Sequence, residues 1–344
     1  MGYLMKSTDL MIQGATAPSG KRVSHADAGS FIDDQLSFNY SFAKVMAIAM
    51  VVLGHWTGSL YGLPVWIPVT FGLFLFAYSS GYFTAALYGD RVDRSRFWRR
   101  KLQRLGVRYW VILAFIAALV ALQGKPILHW HSLVHVAGLS GVLNWFAIPN
   151  HSALGAGLWF FTLLLLFYIV YPYLALVARS TLGALVLLIG GFAAAVVLQE
   201  HVRVGHELWL TAYAFIAGVA CRMQNVRLPA WIPGCAAIVF CAALFILNGL
   251  GIKNANTFLI ALTSLMISLW LVVGRIPQWS WSRYLSRQEK YLLEIFLIHT
   301  YLFVRPTGHS LLDFFVSILL IVLASYMVGR VAESVSLRVF GKRG

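Results

Sequence analysis

The sequence predicts an all-α, polytopic membrane protein with about ten transmembrane helices. Of its 344 residues, 60% are hydrophobic and only 11% are charged, whereas an average soluble domain has about 25% charged residues. The mean hydropathy is +0.76. The apolar residues are gathered into runs close to the roughly 20 residues that a helix needs to cross a hydrocarbon core. These observations exclude an ordinary soluble enzyme.

Ten apolar runs are candidate spans. The runs that start at Tyr109, Leu208 and Tyr291 have about 14 apolar residues and are equally typical of tilted or re-entrant segments. The predicted spans are Phe38–Leu60, Val65–Leu87, Tyr109–Leu122, Leu158–Val177, Leu182–Leu198, Leu208–Cys221, Ile232–Leu250, Thr257–Val273, Tyr291–Val304 and Leu311–Val328.

The basic residues predict the orientation of these spans. With the N-terminus in the cytoplasm, all but four of the 27 Lys and Arg residues fall on the inner side; the outer four are Lys125, Arg203, Lys253 and Arg305. This asymmetry meets the positive-inside rule, so we expect both termini to be cytoplasmic. The net charge of +15 then resides in short loops between spans, which argues against nucleic-acid binding.

The chain divides into three parts. Residues 1–37 are polar and lack the basic-then-apolar order of a signal peptide, so we expect a flexible cytoplasmic tail. Residues 38–330 form the membrane domain, and residues 331–344 form a basic cytoplasmic C-terminal tail. The three cysteines, Cys221, Cys235 and Cys241, have no metal-ligand spacing and are interpreted as packing residues.

Two ionisable residues share the first apolar run, SFAKVMAIAMVVLGHW. Lys44 and His55 are eleven residues apart, which on a helix places them within about 20° of one face and about 16 Å apart. Ionisable groups inside a membrane are costly, so a cavity or pathway is their default interpretation. The alternatives are a snorkelling lysine and a histidine that is hydrogen-bonded between helices.

The densest charge lies between the second and third spans, in DRVDRSRFWRRKLQRLGVRY. Arg100 and Arg104 are four residues apart and share a helical face, with Phe97 about one turn before them. Arginine binds phosphate bidentately, so this cluster is typical of a phosphate site. An anchor for anionic lipids explains the same charges equally well.

The longest predicted outer loop contains HWHSLVH, with His129, His131 and His135, and later His151. A metal site needs three or four converging ligands, and no acidic or cysteine partner is nearby. We therefore favour an interfacial helix with Trp130 and the histidines at headgroup level, and we predict no metal. In the ninth predicted span, Glu294 and His299 are five residues apart, and a buried carboxylate there needs a basic partner.

Four segments in order resemble the bacterial membrane acyltransferase family 3. SFAKVMAIAMVVLGHW is similar to the family's opening span, in which a basic residue precedes a histidine by eleven positions. FLFAYSSGYFTAALY, FWRRKLQRLGVRYW and LWFFTLLLLFYIVYPYL resemble its next three motifs, and YLLEIFLIHTYLF is a weaker fifth match through His299. Lys44 stands where the family usually has Arg, and Val107 stands where it commonly has Pro.

The resemblance implies an O-acyltransferase of the bacterial inner membrane. It would move an acyl group, usually acetyl, from cytoplasmic acyl-CoA to a sugar hydroxyl of an envelope polysaccharide or lipid-linked glycan. The protein would lie in membrane lipid. Polysaccharide-assembly proteins would be further partners. We expect His55 to be catalytic, and we expect burial to keep its imidazole neutral and basic. The residues expected to bind acetyl-CoA are Lys44, Arg100, Lys101 and Arg104; those expected along the substrate path are Tyr82, Trp159, Tyr168, Glu294 and His299.

Two other classes remain open from the sequence. A proton-coupled transporter or flippase of a sugar or lipid would also bury His and Glu, and it would typically show inverted repeats and broken helices. A scaffold in a polysaccharide-assembly complex would need no chemistry at His55.

Overall fold

The computed structural model describes residues 34–57, 59–60, 63–64, 66–202 and 207–340. Apart from a two-residue β-ladder, Ser59–Leu60 (β1) against Leu63–Pro64 (β2), its regular elements are helical. The predicted all-α, polytopic class is confirmed. Of the N-terminal tail predicted for residues 1–37, residues 1–33 lie outside the described part of the chain.

The helices are, in chain order, α1 (Asp34–Thr57), α2 (Trp66–Tyr88), α3 (Arg94–Leu122), α4 (Trp130–Val136), α5 (Ser140–Trp145), α6 (Trp159–Ala178), α7 (Thr181–Leu185), α8 (Gly191–His201), α9 (Leu208–Met223), α10 (Trp231–Gly249), α11 (Asn256–Val273), α12 (Ser280–Ser286), α13 (Leu292–Ile298) and α14 (Ser310–Phe340). A π-helical stretch, Val186–Gly190, joins α7 to α8, and 3₁₀ turns occupy Arg287–Tyr291 and His299–Tyr301.

Eight helices among the described residues are long and apolar enough to cross a membrane. Two of them are the continuous α7–α8 unit and α10. In each, only 11% of the most apolar 18-residue stretch is buried inside the protein, so both lie at the periphery of the bundle. The predicted span at Leu208–Cys221 is the shorter apolar helix α9. The predicted span Tyr291–Val304 is not one helix: α13 has seven residues and a 3₁₀ turn follows it.

Several predicted boundaries differ from the structure, and the differences are largest for α3, α14 and α1. Helix α3 begins fifteen residues before Tyr109, since Asp93 caps it by accepting a hydrogen bond from the Arg96 backbone N–H at 3.1 Å and the Arg, Lys, Leu and Gln residues that follow are good helix formers. Helix α14 runs to Phe340, so residues 331–340 are helical and not a tail. Helix α1 already includes Asp34.

Helices α2 and α9 contact each other through their backbones. A Cβ on Gly81 would lie 2.2 Å from the carbonyl oxygen of Phe215, and a Cβ on Gly218 would lie 2.2 Å from that of Tyr78. Only glycine fits at both positions. Close approach through small residues is how helices pack tightly within a bilayer, and it makes α2 and α9 the centre of the bundle.

Helix α1 is anchored at its first turns. The Asn39 amide donates to the carbonyl oxygens of Leu271 and Gly274 at 3.0 and 2.8 Å, and the Tyr40 hydroxyl donates to that of Ser268 at 2.7 Å. The bonds to Leu271 and Gly274 satisfy carbonyls at the C-terminal end of α11, which would otherwise lack helical partners. We call this end of the bundle, where α3 also begins, the inner end, and the opposite end the outer end.

Candidate active site

Two histidines from different segments meet near the outer end of α1. The rings of His55 and His299 lie edge to face with centroids 4.9 Å apart. His299 is 1% exposed, whereas His55, in the last turn of α1, is exposed. Our expectation that His55 is buried was therefore wrong, because α1 ends at Thr57 and places this ring at the edge of the bundle. The buried ring is that of His299.

Local hydrogen bonds select the tautomer of both rings. His55 Nδ1 lies 2.8 Å from the carbonyl oxygen of Val51, and His299 Nδ1 lies 2.8 Å from that of Phe296. A carbonyl only accepts, so Nδ1 carries the proton in each neutral ring and Nε2 keeps its lone pair. His299 Nε2 has no hydrogen-bond partner in the described part of the chain. The pair therefore offers two basic nitrogens.

Lys44 lies on the same helix as His55, as the sequence predicts, but it is already paired. Its ammonium forms an ion pair with Glu289, whose carboxylate also accepts a hydrogen bond from the Ser41 hydroxyl. The ammonium also lies 5.8 Å from the centroid of the Phe83 ring. Sequence reasoning missed Glu289, although an acidic residue at the edge of an apolar run signals that a cation is near.

These two contacts place α1 and the broken segment side by side. Lys44 meets Glu289 at one level of α1, and His55 meets His299 eleven residues farther along. The segment from Glu289 to His299 therefore runs in the same direction as α1. A broken helix at membrane depth is tolerated when protein surrounds the breaks, and the residues that flank α13, Tyr291 and His299, are only 9% and 1% exposed.

Glu294, at the middle of this segment, pairs with Arg108 of α3. Arg108 Nε lies 3.3 Å from Glu294 Oε1, and Arg108 Nη2 donates to the carbonyl oxygen of Lys290 at 3.1 Å. Glu294 is fully buried, and neither of its oxygens accepts a well-aligned hydrogen bond among the described residues. The predicted basic partner is thus confirmed as Arg108, and the pair fixes the broken segment to α3.

The basic residues at the start of α3 divide into two groups. Arg100 and Arg104 are exposed at the inner end. Lys101 turns inward, with its ammonium 4.1 Å from the centroid of the Tyr168 ring and 3.4 Å from the Thr84 hydroxyl. The rings of Tyr88 and Phe97 complete its surroundings at 5.4 and 5.6 Å. A cation enclosed by aromatic faces is held by their quadrupoles.

Tyr168 and Tyr82 occupy different places. The Tyr168 hydroxyl lies 3.1 Å from that of Ser80, and its backbone carbonyl accepts from the Trp98 indole at 3.0 Å. Tyr82 is 5% exposed and stacks on two other tyrosines, Tyr40 and Tyr78, at 6.2 and 6.1 Å. Tyr168 therefore borders the Lys101 site, and Tyr82 is part of the core packing.

A series of aromatic rings lies between Lys101 and the histidine pair. Phe76 is one turn from Ser80 on α2, and its ring lies 6.2 Å from Phe160 and 6.3 Å from Phe296. Phe296 also lies 6.2 Å from Trp159 and 6.1 Å from His299. An apolar connection therefore links the cationic inner end to the histidines, and no periodic pattern in the sequence predicts it.

The HWHSLVH motif forms α4 in the outer cap, residues 123–157 between α3 and α6. Trp130 is 56% exposed, as expected for an interfacial residue, but His131 and His135 are buried. Burial lowers the pKa of both rings, and the neighbouring rings of His129 and His151 lower that of His131 further. Within the described residues, no three His, Cys, Asp or Glu side chains are arranged as metal ligands.

The comparisons with known proteins add one finding. The sequence model of a family described as an acyltransferase domain matches residues 39–330, from the first turns of α1 to the middle of α14. No curated protein and no solved structure gives a significant match. The match covers both histidines, the Lys44–Glu289 and Arg108–Glu294 ion pairs and the start of α3.

Proposed function

This chain belongs to the membrane acyltransferase family 3, and from that premise we propose that it transfers an acetyl group from cytoplasmic acetyl-CoA to a sugar hydroxyl. The acceptor in this proposal is an envelope polysaccharide or a lipid-linked glycan, and the protein acts in the bacterial inner membrane with both termini in the cytoplasm. Polysaccharide-assembly proteins would supply or receive the glycan.

The observation that carries the proposal is the histidine pair with its two unprotonated Nε2 atoms. A sugar hydroxyl is a poor nucleophile at neutral pH until a base removes its proton. An imidazole whose Nδ1–H is fixed by a backbone carbonyl presents Nε2 as that base. His55 is the exposed member of the pair, so we assign it the direct contact with the acceptor.

The reaction is then a direct acyl transfer. His55 Nε2 takes the hydroxyl proton while the sugar oxygen attacks the thioester carbonyl. The new C–O bond forms, the C–S bond breaks, and the CoA sulfur leaves with the electron pair and receives the proton from His55. His299, in contact with the His55 ring, is a positioning residue that keeps the imidazole oriented through the cycle. Acetylation of His55 itself is the alternative course.

The donor enters from the inner end in this proposal. Arg100 and Arg104 are exposed there and supply the guanidinium groups that suit CoA phosphates. Lys101 lies deeper, against Tyr168. Lys44, on α1, is paired with Glu289 of the broken segment. The pantetheine arm would extend past these residues and along the Phe76, Phe160 and Phe296 rings to the histidines.

A proton-coupled transporter or flippase of a sugar or lipid is the second candidate. The segment from Glu289 to His299 is a broken helix inside the bundle, as in many transporter substrate sites. Acetyl-CoA binding separates the two candidates, because a transporter of this kind has no use for it. Isothermal titration of the purified protein in nanodiscs should give saturable acetyl-CoA binding that is weakened in a double Arg100→Gln, Arg104→Gln variant.

Mass spectrometry of envelope glycans tests the whole proposal. Cells carrying the protein should have acetylated glycan that is missing from cells without it and from cells carrying His55→Ala at equal membrane abundance. Glycans identical in all three strains would contradict the proposal. Acetylation that persists with His55→Ala would support the scaffold alternative.

A further inference from the structure

The outer cap contains a half-open cavity of about 300 Å³. It lies between α5, the start of α6 and the loop that joins them. The residues that line it are His135, Ser140, Leu143, Asn144, Asn150, Gly155, Ala156, Gly157 and Trp159. No Lys, Arg, Asp or Glu is among these lining residues, so the cavity is polar but uncharged, which suits hydroxyl groups better than phosphate or carboxylate.

A hydrogen-bond network fixes the polar wall. The Asn150 Nδ2 group donates to the Leu154 carbonyl oxygen at 2.6 Å, which orients its Oδ1 toward His135 Nε2 at 3.3 Å. His135 Nε2 therefore carries the proton, and Nδ1 accepts from the Ser140 hydroxyl at 2.8 Å. The Tyr109 hydroxyl donates to the His135 carbonyl oxygen. This preorganisation is typical of a binding site.

Glycine keeps the cavity open. Gly155 has φ +118°, and a Cβ there would lie 2.6 Å from His135 Cε1 and 2.8 Å from Asn150 Nδ2. A side chain at this position would be strained and would push into the polar wall. The loop thus leaves space in front of His135 and Asn150.

The cavity is linked to the histidine pair through the segment that carries His299. The backbone N–H of Gly155 donates to the Tyr301 hydroxyl at 2.9 Å, and a Cβ on Gly157 would lie 3.4 Å from the Phe296 carbonyl oxygen. Ring contacts lead from the cavity inward: Trp159 to Phe296 at 6.2 Å, Phe296 to His299 at 6.1 Å, and His299 to His55 at 4.9 Å. Two rings, those of Phe296 and His299, therefore lie between Trp159 in the cavity wall and His55, the proposed base.

We propose that this cavity is the acceptor subsite and that it binds one neutral sugar ring of the glycan. The inference rests on the proposed function. Asn150, Asn144 and Ser140 supply neutral hydrogen-bonding groups for hydroxyls, and Trp159 supplies an apolar surface for the C–H face of the ring. A volume of about 300 Å³ is at the small end of ligand sites, roughly 300–1,000 Å³, and accommodates one sugar unit rather than an oligosaccharide.

Saturation-transfer NMR on the full-length protein in nanodiscs tests this subsite. The probes are the methyl glycosides of glucose, galactose, mannose, rhamnose and N-acetylglucosamine, with methyl glucuronide and glucose 6-phosphate as anionic comparators. We expect at least one neutral glycoside to bind more tightly than either anion. Asn150→Leu and Trp159→Leu should each weaken that binding by about tenfold or more, the effect of losing one well-made contact.

Trp130→Leu is the matched control, because Trp130 is also an outer tryptophan but does not line this cavity. It should leave glycoside binding within about twofold. Gly155→Ala provides a second test, since its added methyl group narrows the cavity without removing a polar group. It should weaken binding in protein that still binds acetyl-CoA as the parent does.

The inference is overturned if no neutral glycoside binds, if an anion binds best, or if the Asn150 and Trp159 variants bind like the Trp130 control. These outcomes differ from failure of the proposed function, which would appear as absence of acetyl-CoA binding and of glycan acetylation in the parent protein. If the parent protein acetylates glycan and the cavity variants do so equally well, the acceptor binds elsewhere.

Discussion

His55 and His299 hold their rings edge to face at 4.9 Å, and each ring has its Nδ1 proton committed to a carbonyl oxygen of its own segment. Neither hydrogen bond depends on the other segment. The relative position of the two rings is therefore set by how the broken segment lies along α1. That register depends in turn on two ion pairs, Lys44 with Glu289 and Arg108 with Glu294.

Replacing His299 should affect turnover more than donor binding. His299→Gln removes the ring that contacts His55, so we expect kcat to fall by about tenfold or more while the Kd for acetyl-CoA stays within about twofold. The pH dependence of kcat should also shift, because the neighbour of the base has changed. Initial rates from pH 5.5 to 9 measure both effects. A variant with reduced acetyl-CoA affinity and an unchanged pH profile would indicate a purely structural role.

Removing only Lys44 from the Lys44–Glu289 ion pair should destabilise the protein more than removing both charges. Lys44→Met leaves the Glu289 carboxylate beside apolar surface without its cation, whereas the double variant Lys44→Met, Glu289→Gln removes both charges. Both side chains are partly solvated, with 15% and 35% exposure, so we expect a coupling of only about 1 kcal/mol. Thermal unfolding of the two detergent-solubilised single variants, Lys44→Met and Glu289→Gln, and of the double variant gives this coupling. Strictly additive losses would mean that the pair does not set the register.

The Arg108 pair should be the stronger of the two. Glu294 is fully buried, and Arg108→Met would leave its charge uncompensated, at a cost of about 3 kcal/mol or more. Arg179→Met is the matched control, because Arg179 pairs with Asp90 at 3.5 Å but is 64% exposed. We expect the control to unfold within a degree or two of the parent. Equal losses for both variants would argue that burial of Glu294 has no energetic consequence.

Acidic pH should lower the stability of the outer cap. Burial lowers the pKa of His135, and the hydrogen bond with Asn150 only partly offsets this effect. The folded cap therefore binds fewer protons than the unfolded one. The stability that neutral His135 contributes is fully present above the ordinary histidine pKa of about 6.5 and is lost as the pH falls toward the lowered pKa of the folded state. Limited proteolysis between residues 123 and 157 should accelerate from pH 7.5 to 5.0. His135→Gln should reduce that increase and leave the part that comes from His131, whose pKa is also lowered, whereas His309→Gln, at an exposed outer histidine, should retain it in full.

Adding a side chain at the contact between α2 and α9 should destabilise the protein. Gly81→Ala places a Cβ within 2.2 Å of a backbone oxygen, so the helices must separate, and we expect a loss of several degrees in the midpoint of thermal unfolding. Gly249→Ala adds the same methyl group where nothing lies within 4 Å and should be close to neutral. Equal midpoints for the two variants would contradict the close backbone contact between these helices.

Much of this arrangement could be predicted from local pattern. Hydropathy located the long helices, and the eleven-residue spacing correctly placed Lys44 and His55 on one helix. The need of a buried carboxylate for a cation correctly predicted a basic partner for Glu294. These inferences succeed because each depends on helical periodicity or on the cost of burying one charge.

The remainder depends on contacts between distant segments. Glu289 and His299 are more than 200 residues from their partners on α1, and no periodicity links them. The exposure of His55 depends on α1 ending at Thr57, which hydropathy alone does not fix. The outer cavity depends on the backbone of Gly155, whose positive φ can be seen only once the loop is built.

The most direct test of the central claim is transfer of radiolabelled acetyl from acetyl-CoA to endogenous glycan in inverted membrane vesicles. Parent vesicles and the His309→Gln control should label the glycan, and His55→Ala vesicles with equal protein and unchanged acetyl-CoA affinity should lose at least about a hundredfold in rate. Labelling by His55→Ala at the parent rate would contradict the assignment of His55 as the base.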